Sequence, residues 1–146
     1  MKPETPIAAR PFKIVMVDDL EGPLLSTEMV TRFLLKDSTM LKFQRGDDAM
    51  RELAREEPDL LITDVCHRGP SGYEMLQLLA AKRVNFPILI ISATATQEKV
   101  SQSAGGELNV RLLQTPWTME SLRRELVNLV GPIEYENIGE RLNDLL

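Results

Sequence analysis

The sequence predicts an α/β domain built on a parallel β-sheet, and two observations support this fold class. Four short apolar runs are separated by segments with helical patterns, an alternation typical of parallel strands joined by crossover helices. The runs are apolar at consecutive positions, as expected of strands that helices cover on both faces. The predicted strands span residues 14–17, 60–62, 88–91 and 110–113, with a weaker fifth strand at residues 40–44.

The first two helices are predicted from a proline and an acidic residue. Pro23 suits a first helical turn, where its missing N–H would have no helical partner in any case. Asp47 is predicted to cap the second helix, which Pro58 ends. The residues expected to face inward from this second helix are Met50, Leu53 and Ala54.

The later helices have clearer starts. Ser71 and Glu74 form a capping-box pattern, and Thr118 is predicted to cap the last helix of the domain. Between them, residues 97–104 predict a short, mostly polar helix anchored by Val100. Apolar residues follow the two caps: Met75, Leu76, Leu78 and Leu79 in the third helix, and Leu122, Leu126 and Leu129 in the last.

The 146 residues suit one domain with two short tails. Residues 1–11 carry three prolines and no apolar stretch, so they predict a flexible arm. The domain itself is predicted at residues 12–131. After Gly131 and Pro132, residues 132–146 show apolar spacing typical of an extra C-terminal helix. Packing of this helix onto its own domain is slightly favoured over a contact with a partner or a second copy.

Composition limits the possible partners. The net charge of −5 gives no broad attraction to nucleic acid or anionic lipid. Cys66 is the single cysteine, so no internal disulfide can form. The longest apolar runs are far too short to cross a bilayer, and no membrane span is predicted. We therefore expect a cytoplasmic protein that does not bind nucleic acid directly.

Three acidic residues directly follow predicted strands. Asp18 and Asp19 come after the first run, and Asp64 comes after the run at residues 60–62. The carboxyl ends of parallel strands share one edge of a sheet, so neighbouring strands would bring these carboxylates together. Close carboxylates oppose one another's ionisation unless a cation neutralises them, and Mg²⁺ prefers oxygen ligands. An aspartate is also a known nucleophile toward phosphoryl groups.

Two further strand ends carry polar residues. Ser92 follows the run at residues 88–91, and its hydroxyl suits a hydrogen bond to a phosphoryl oxygen, although a turn or cap role is equally common. Thr115 and Pro116 follow the last run, where proline most simply ends the strand.

Together these motifs resemble the receiver domain of two-component response regulators, over about residues 13–130. The residues that carry the resemblance are Val17-Asp18-Asp19, Asp64 with Gly72 eight residues later, Ser92-Ala93 and Thr115-Pro116-Trp117. The resemblance implies a three-layer α/β/α flavodoxin-like fold, with a five-stranded parallel sheet in the strand order 2-1-3-4-5.

The resemblance also implies a role for each site residue. Asp64 would be the phosphoacceptor, taking a phosphoryl group from a histidine kinase or a histidine phosphotransfer protein. Asp19 would hold Mg²⁺ directly and Asp18 would assist, with the backbone carbonyl of Cys66 as a further ligand. Ser92 occupies the position of the family's switch hydroxyl.

The sequence departs from the family pattern at several positions. Thr115 stands where the family has a lysine, which removes a cation from the place where negative charge builds up. Leu112 stands at the position of the aromatic switch residue. His67 and Arg68 replace a Met-Pro pair. Arg68 is a candidate for the missing cation, although a solvated loop arginine is the better interpretation, and His67 is expected to be a loop residue.

Two functions remain open from the sequence. The favoured one is a phosphorylatable switch that acts through another protein, because only 16 residues follow Val130. The alternative is a pseudo-receiver that works as a docking or dimerisation module without phosphorylation. An enzyme such as a small phosphohydrolase is disfavoured, since neither a glycine-rich phosphate-binding loop nor a second histidine is present.

Overall fold

The computed structural model describes residues 12–19 and 21–131, with the backbone alone at residues 21–25. Strands and helices alternate along this part of the chain. The strands are β1 (Phe12–Val17), β2 (Ser38–Phe43), β3 (Leu60–Thr63), β4 (Ile88–Ser92) and β5 (Val110–Gln114). The helices are α1 (Glu21–Leu34), α2 (Gly46–Arg55), α3 (Gly72–Ala81), α4 (Gln97–Ala104) and α5 (Met119–Val130).

The five strands form one parallel sheet in the order β2-β1-β3-β4-β5. The predicted fold class and strand order are therefore confirmed. In the register between β1 and β3, Val17 lies opposite Thr63, so the two strands end level with each other. The residues that follow these two strands consequently emerge side by side.

Two apolar layers cover the two faces of the sheet. Alternate residues of β1 divide between them, with Ile14 in the layer under α1 and α5 and Val15 in the layer under α2, α3 and α4. Both side chains are fully buried. Burial on both faces explains why the strands appear in the sequence as continuous apolar runs.

The capping predictions for two helices are confirmed. Ser71 accepts a hydrogen bond from the backbone N–H of Glu74, and the Glu74 side chain accepts one from the N–H of Ser71. Thr118 forms the same reciprocal pair with Ser121 at the start of α5. Each pair satisfies amide groups that have no partner within the helix.

The predicted cap of α2 is wrong. The helix begins at Gly46 with Arg45 in the N-cap position, and Arg45 makes no capping hydrogen bond through its side chain. Asp47 instead binds the Arg45 guanidinium at 2.9 and 3.1 Å, and this hydrogen bonding lowers the pKa of the Asp47 carboxyl. The backbone of Arg45 is extended and pairs with Arg68 in a parallel bridge, so the helix begins directly after this residue, at Gly46.

Ala54, which was predicted to face inward, points outward, and so does an apolar residue of α3. Ala54 is exposed, while Ala49 joins Leu53 in the buried face of α2. Leu78 of α3 is 45% exposed although the leucine that follows it is buried. In both helices the apolar residue lies about 100° around the axis from its buried neighbour, which sequence spacing alone did not resolve.

A largely buried ion pair joins α2 to β1. Lys13 Nζ lies 2.7 Å from a carboxylate oxygen of Glu52, and Arg55 donates two further hydrogen bonds to the same carboxylate. Hydrogen bonds from Arg55 and then Lys13 lower the pKa of Glu52 to about 2. The ion pair therefore fixes the C-terminal half of α2 beside the start of β1.

The two edge strands each carry a cation paired with a helix. Lys42 of β2 binds Glu28 of α1 at 2.7 Å, and Arg111 of β5 binds Glu125 of α5. These two ion pairs lie at opposite edges of the sheet.

The predicted N-terminal arm at residues 1–11 and the C-terminal helix at residues 132–146 lie outside the described residues. Among the helices that are described, none has the length and apolar character needed to cross a membrane.

Candidate functional site

Asp64 is held at the carboxyl end of β3 by its own backbone and by the next residue. Its N–H donates to the carbonyl of Val17 at 3.1 Å, which continues the pairing of β1 and β3 by one residue. The N–H of Val65 donates to Asp64 Oδ1 at 2.6 Å. One carboxylate oxygen is thus engaged by the backbone.

Asp18 reaches the same edge from β1. Its N–H donates to the carbonyl of Phe43 at 3.0 Å, so the end of β1 is tied to β2 on its other side. Asp18 and Asp64 both line one small open pocket. The expected meeting of acidic residues from two neighbouring strands is therefore seen for this pair.

Asp19 is not among the residues that line this pocket. Asp19 is exposed. Within residues 12–19 and 21–131, no three His, Cys, Asp or Glu side chains lie close enough together to hold a metal ion. Mg²⁺ commonly binds one or two protein carboxylates and keeps several water ligands, so Asp18 and Asp64 fit that ion. The metal roles of these residues and of the Cys66 carbonyl stay predictions.

Gly72 packs directly on the backbone of Asp64. Its N–H donates to the carbonyl of Val65 at 3.0 Å. A Cβ atom at position 72 would lie 2.2 Å from the carbonyl oxygen of Asp64 and 2.6 Å from Cα of Val65. Only glycine permits this approach, which explains the glycine eight residues after the aspartate.

Ser92 closes β4 and is 2% exposed. Its Oγ accepts hydrogen bonds from the N–H groups of Thr94 and Ala95, both at 3.1 Å. The turn role considered from the sequence is therefore present. Thr94 Oγ1 lies 3.4 Å from the same oxygen, so the one hydroxyl proton of Ser92 can point to Thr94 or to a phosphoryl oxygen, and the turn and a phosphoryl contact are compatible.

Thr115 lies beside Ser92 at the end of β5. Its N–H donates to the carbonyl of Ser92 at 3.1 Å, and its side chain is exposed. The peptide bond between Thr115 and Pro116 is cis. Leu112 is partly buried against the apolar layer under α2, α3 and α4. The positions of the family lysine and aromatic residue thus hold an exposed hydroxyl and a packed leucine.

The remaining loop residues of interest lie after Asp64. Arg68 is exposed, its carbonyl accepts from the N–H of Gly46 at 2.7 Å, and its guanidinium makes no ion pair with the part of the chain that is described. Cys66 is exposed, with its Sγ 3.8 Å from Thr94 Oγ1. Neither side chain contacts Asp64 through a hydrogen bond between described residues.

Sequence reasoning missed two residues that contact the site. Gln114 donates from Nε2 to the carbonyl of Ala95 at 3.2 Å, which ties the end of β5 to the loop after Ser92. His67 lies in a loop, as expected, but its side chain is only 8% exposed and lies 3.1 Å from the hydroxyl of Thr63, a contact that was not predicted. No local pattern in the sequence indicates either contact, because both partners are set by the folded loops.

The comparison with known families decides what kind of domain this is. A sequence model of the family described as the response regulator receiver domain matches residues 14–126. The chain belongs to this family. Receiver domains are signalling modules of two-component systems, so the resemblance stated from the sequence is confirmed.

Relatives of known role agree with this assignment. The alkaline phosphatase synthesis transcriptional regulatory protein PhoP of Bacillus subtilis is 31% identical to this receiver domain over 98 residues, which is 66% of this chain and 38% of that protein. The two-component response regulator PhoP of Pseudomonas aeruginosa is 25% identical over 136 residues, which is 92% of this chain and 52% of that protein. The chain thus spans about half or less of these relatives.

Solved structures share the fold. The receiver domain of a sensor histidine kinase from Pseudomonas aeruginosa, with a magnesium ion coordinated in its active-site cleft, has a TM-score of 0.68 and 23% identity, over 84% of this chain and all of that chain. A CheY-like receiver domain protein from Methanospirillum hungatei has a TM-score of 0.67 and 18% identity, over 92% of this chain and 99% of that chain.

Proposed function

We propose that this receiver domain accepts a phosphoryl group on Asp64 from a histidine kinase or a histidine phosphotransfer protein, and that it signals through contacts with a downstream protein. One observation carries the proposal. Asp18 and Asp64 follow neighbouring strands and line the same open pocket. This arrangement presents an aspartate nucleophile beside a second carboxylate at the edge of the sheet where parallel folds bind ligands.

The transfer is a nucleophilic displacement at phosphorus. Asp64 Oδ1 accepts from the N–H of Val65, which leaves the other carboxylate oxygen to attack. The new O–P bond forms as the N–P bond of the phosphohistidine donor breaks, and the bonding electrons return to the imidazole of the donor. Mg²⁺, when bound, supplies charge neutralisation for the incoming phosphoryl group.

The carboxylates of Asp18, Asp19 and Asp64 and the carbonyl of Cys66 are the residues that would hold Mg²⁺. Ser92 would donate its remaining hydroxyl proton to a phosphoryl oxygen. Its buried position, with Oγ bound to the N–H groups of Thr94 and Ala95, means that such a donation would pull on the loop before α4. Movement of this loop is the route by which phosphate would alter a binding surface.

The decisive experiment is intact-mass measurement after incubation with acetyl phosphate and Mg²⁺. The native protein is expected to gain one phosphoryl group, the gain should disappear with a chelator, and Asp64→Ala should show none. Asp37→Ala is the matched control, because Asp37 is exposed and precedes β2 at the other edge of the sheet. No added mass on the native protein under donor excess would reject the proposal.

A phosphorylation-independent docking or dimerisation module is the second candidate. The observation that favours it is the exposed Thr115 hydroxyl where the family has a cation, together with Leu112 packed into an apolar layer. If native protein and Asp64→Ala bind a partner equally well, and neither takes phosphate, this second function replaces the first.

A further inference from the structure

His67 lies in a buried position three residues after Asp64 and is joined to it by hydrogen bonds. Its ring nitrogen Nε2 lies 3.1 Å from Thr63 Oγ1. The Thr63 hydroxyl in turn donates to the carbonyl oxygen of Asp64 at 2.9 Å. Because Thr63 has one hydroxyl proton and gives it to Asp64, Thr63 must accept a proton from His67. The ring proton of His67 is therefore assigned to Nε2.

The other ring nitrogen supports this assignment. Nδ1 of His67 is buried and has no hydrogen-bond partner among the described residues. In the form with the proton on Nε2, Nδ1 is only an acceptor. A proton on Nδ1 would instead bury an unpaired donor, and Thr63 would have to release Asp64 to donate to Nε2. Both contacts therefore favour the same tautomer.

The first residue of α2 fixes the position of the ring. A Cβ atom at Gly46 would lie 2.9 Å from Cε1 and 3.1 Å from Nδ1 of His67, and 2.2 Å from the carbonyl oxygen of Pro70. The N–H of Gly46 also donates to the carbonyl of Arg68 at 2.7 Å. The imidazole is thus confined between α2 and the end of β3, where it cannot turn toward solvent without moving the loop.

We infer that His67 is a positioning residue for Asp64, acting through the chain His67 Nε2–H to Thr63 Oγ1–H to the carbonyl of Asp64. Gly72 approaches the same carbonyl oxygen from α3. Together these contacts hold the Asp64 peptide in the orientation in which Oδ1 meets the N–H of Val65 and the side chain lines the pocket shared with Asp18. The consequence for phosphorylation rests on the proposed function, whereas the hydrogen-bonded chain does not.

Conservative substitutions separate this role from simple packing. Glutamine carries its amide nitrogen the same number of bonds from Cα as histidine carries Nε2, so His67→Gln can donate to Thr63, whereas His67→Leu cannot. Thr63→Val removes the hydroxyl at constant shape, and Thr63→Ser keeps it. If His67→Leu does not fold, the comparison of Thr63→Val with Thr63→Ser still tests the same role.

The first test is nuclear magnetic resonance of the native protein, in which His67 is the only histidine of the chain. Its ring ¹⁵N shifts are expected to show a proton on Nε2. The carbonyl ¹³C shift of Asp64 should move in Thr63→Val and His67→Leu, and return toward the native value in Thr63→Ser and His67→Gln. A ring proton on Nδ1 rather than on Nε2 would overturn the hydrogen-bonded chain. So would an Asp64 carbonyl shift that is the same in all four variants as in the native protein.

The second test is the rate of phosphorylation by acetyl phosphate. Thr63→Val and His67→Leu are expected to lower the maximal rate about three- to tenfold, which corresponds to the loss of one hydrogen bond. Thr63→Ser and His67→Gln should recover most of it. Equal rates in all variants overturn the positioning role even if the magnetic resonance result holds. A native protein that takes no phosphate rejects the proposed function, while the ring and carbonyl shifts still decide the hydrogen-bonded chain.

Discussion

Thr115 stands where the family has a lysine, so we expect its identity to affect how strongly the proposed site stabilises a phosphoryl group. It lies next to Ser92, exposed at the end of β5, so a longer cationic side chain there can reach the pocket edge without displacing buried groups. We expect Thr115→Lys to raise the rate of phosphorylation by acetyl phosphate about tenfold, since one charge-assisted contact contributes roughly 1.5 kcal/mol. The measurement is the rate of mass increase.

The control for this substitution must add the same charge elsewhere. Gln102→Lys does so on the exposed side of α4. A similar acceleration by both variants would mean that net charge, rather than position 115, sets the rate. No acceleration by Thr115→Lys would show that this position does not face the phosphoryl group.

At the scale of residues, the sequence identified those side chains whose position follows from strand ends alone. Asp18 and Asp64 directly follow apolar runs, and the shared edge of a parallel sheet brings them to one pocket. The contacts of His67 and Gln114 could not be predicted, because each depends on how a loop folds back onto a neighbouring element. Residue type gave no guide, since both are common in exposed loops.

At the scale of elements, Gly72 makes α3 sensitive to one added methyl group. Gly72 is the first residue of α3, so the preference of helix interiors for alanine over glycine, about 1 kcal/mol, applies there only in part. Here the new Cβ would lie 2.2 Å from the carbonyl oxygen of Asp64. We therefore expect Gly72→Ala to lower the free energy of unfolding by about 2 kcal/mol, as measured by urea denaturation.

The test is whether Gly72→Ala lowers or raises the free energy of unfolding. Gln77→Ala, on the exposed side of the same helix, is the control and should be neutral or slightly stabilising. Stabilisation by Gly72→Ala would show that α3 can shift away from Asp64 at little cost.

Helix starts were predictable where the residues that cap the helix lie close together in the sequence. Ser71 with Glu74 and Thr118 with Ser121 form their capping pairs within four consecutive residues, so local spacing decides them. The start of α2 depends instead on the bridge between Arg45 and Arg68, which lie far apart in sequence. An acidic residue near a helix start was therefore an insufficient guide there.

At the scale of the whole molecule, the ion pair between Lys13 and Glu52 links acid stability to the packing of α2 on β1. The folded protein holds the pKa of Glu52 at about 2, below its ordinary value of 4.5. The folded state thus binds this proton less readily than the unfolded chain does. The stabilisation is fully present above about pH 4.5 and is lost as the pH falls toward 2.

We expect Glu52→Gln to lower the free energy of unfolding by about 2 kcal/mol near neutral pH, because the buried ammonium of Lys13 loses its main partner. The difference from the native protein should shrink below about pH 4.5. Glu57→Gln, at an exposed position in the next loop, should change little. Denaturation curves across this pH range give the comparison, and a constant difference would contradict the assignment.

The architecture could be predicted from the sequence only in part. Alternating apolar runs and helical segments indicated a parallel sheet with helices on both faces, because apolar layers cover both faces of the sheet. Periodicity does not say which strands are neighbours. The order β2-β1-β3-β4-β5 came from the family resemblance, since several orders would bury the same side chains.

The charged groups on the edge strands bear on how this protein behaves at high concentration. Unpaired strand edges invite other chains to extend the sheet, which leads to aggregation. Lys42 on β2 and Arg111 on β5 oppose this, because a second copy docking there would bring like charges together or break the contacts to Glu28 and Glu125. Neutralising both cations would remove this protection, so crowded solutions are where their contribution should be greatest.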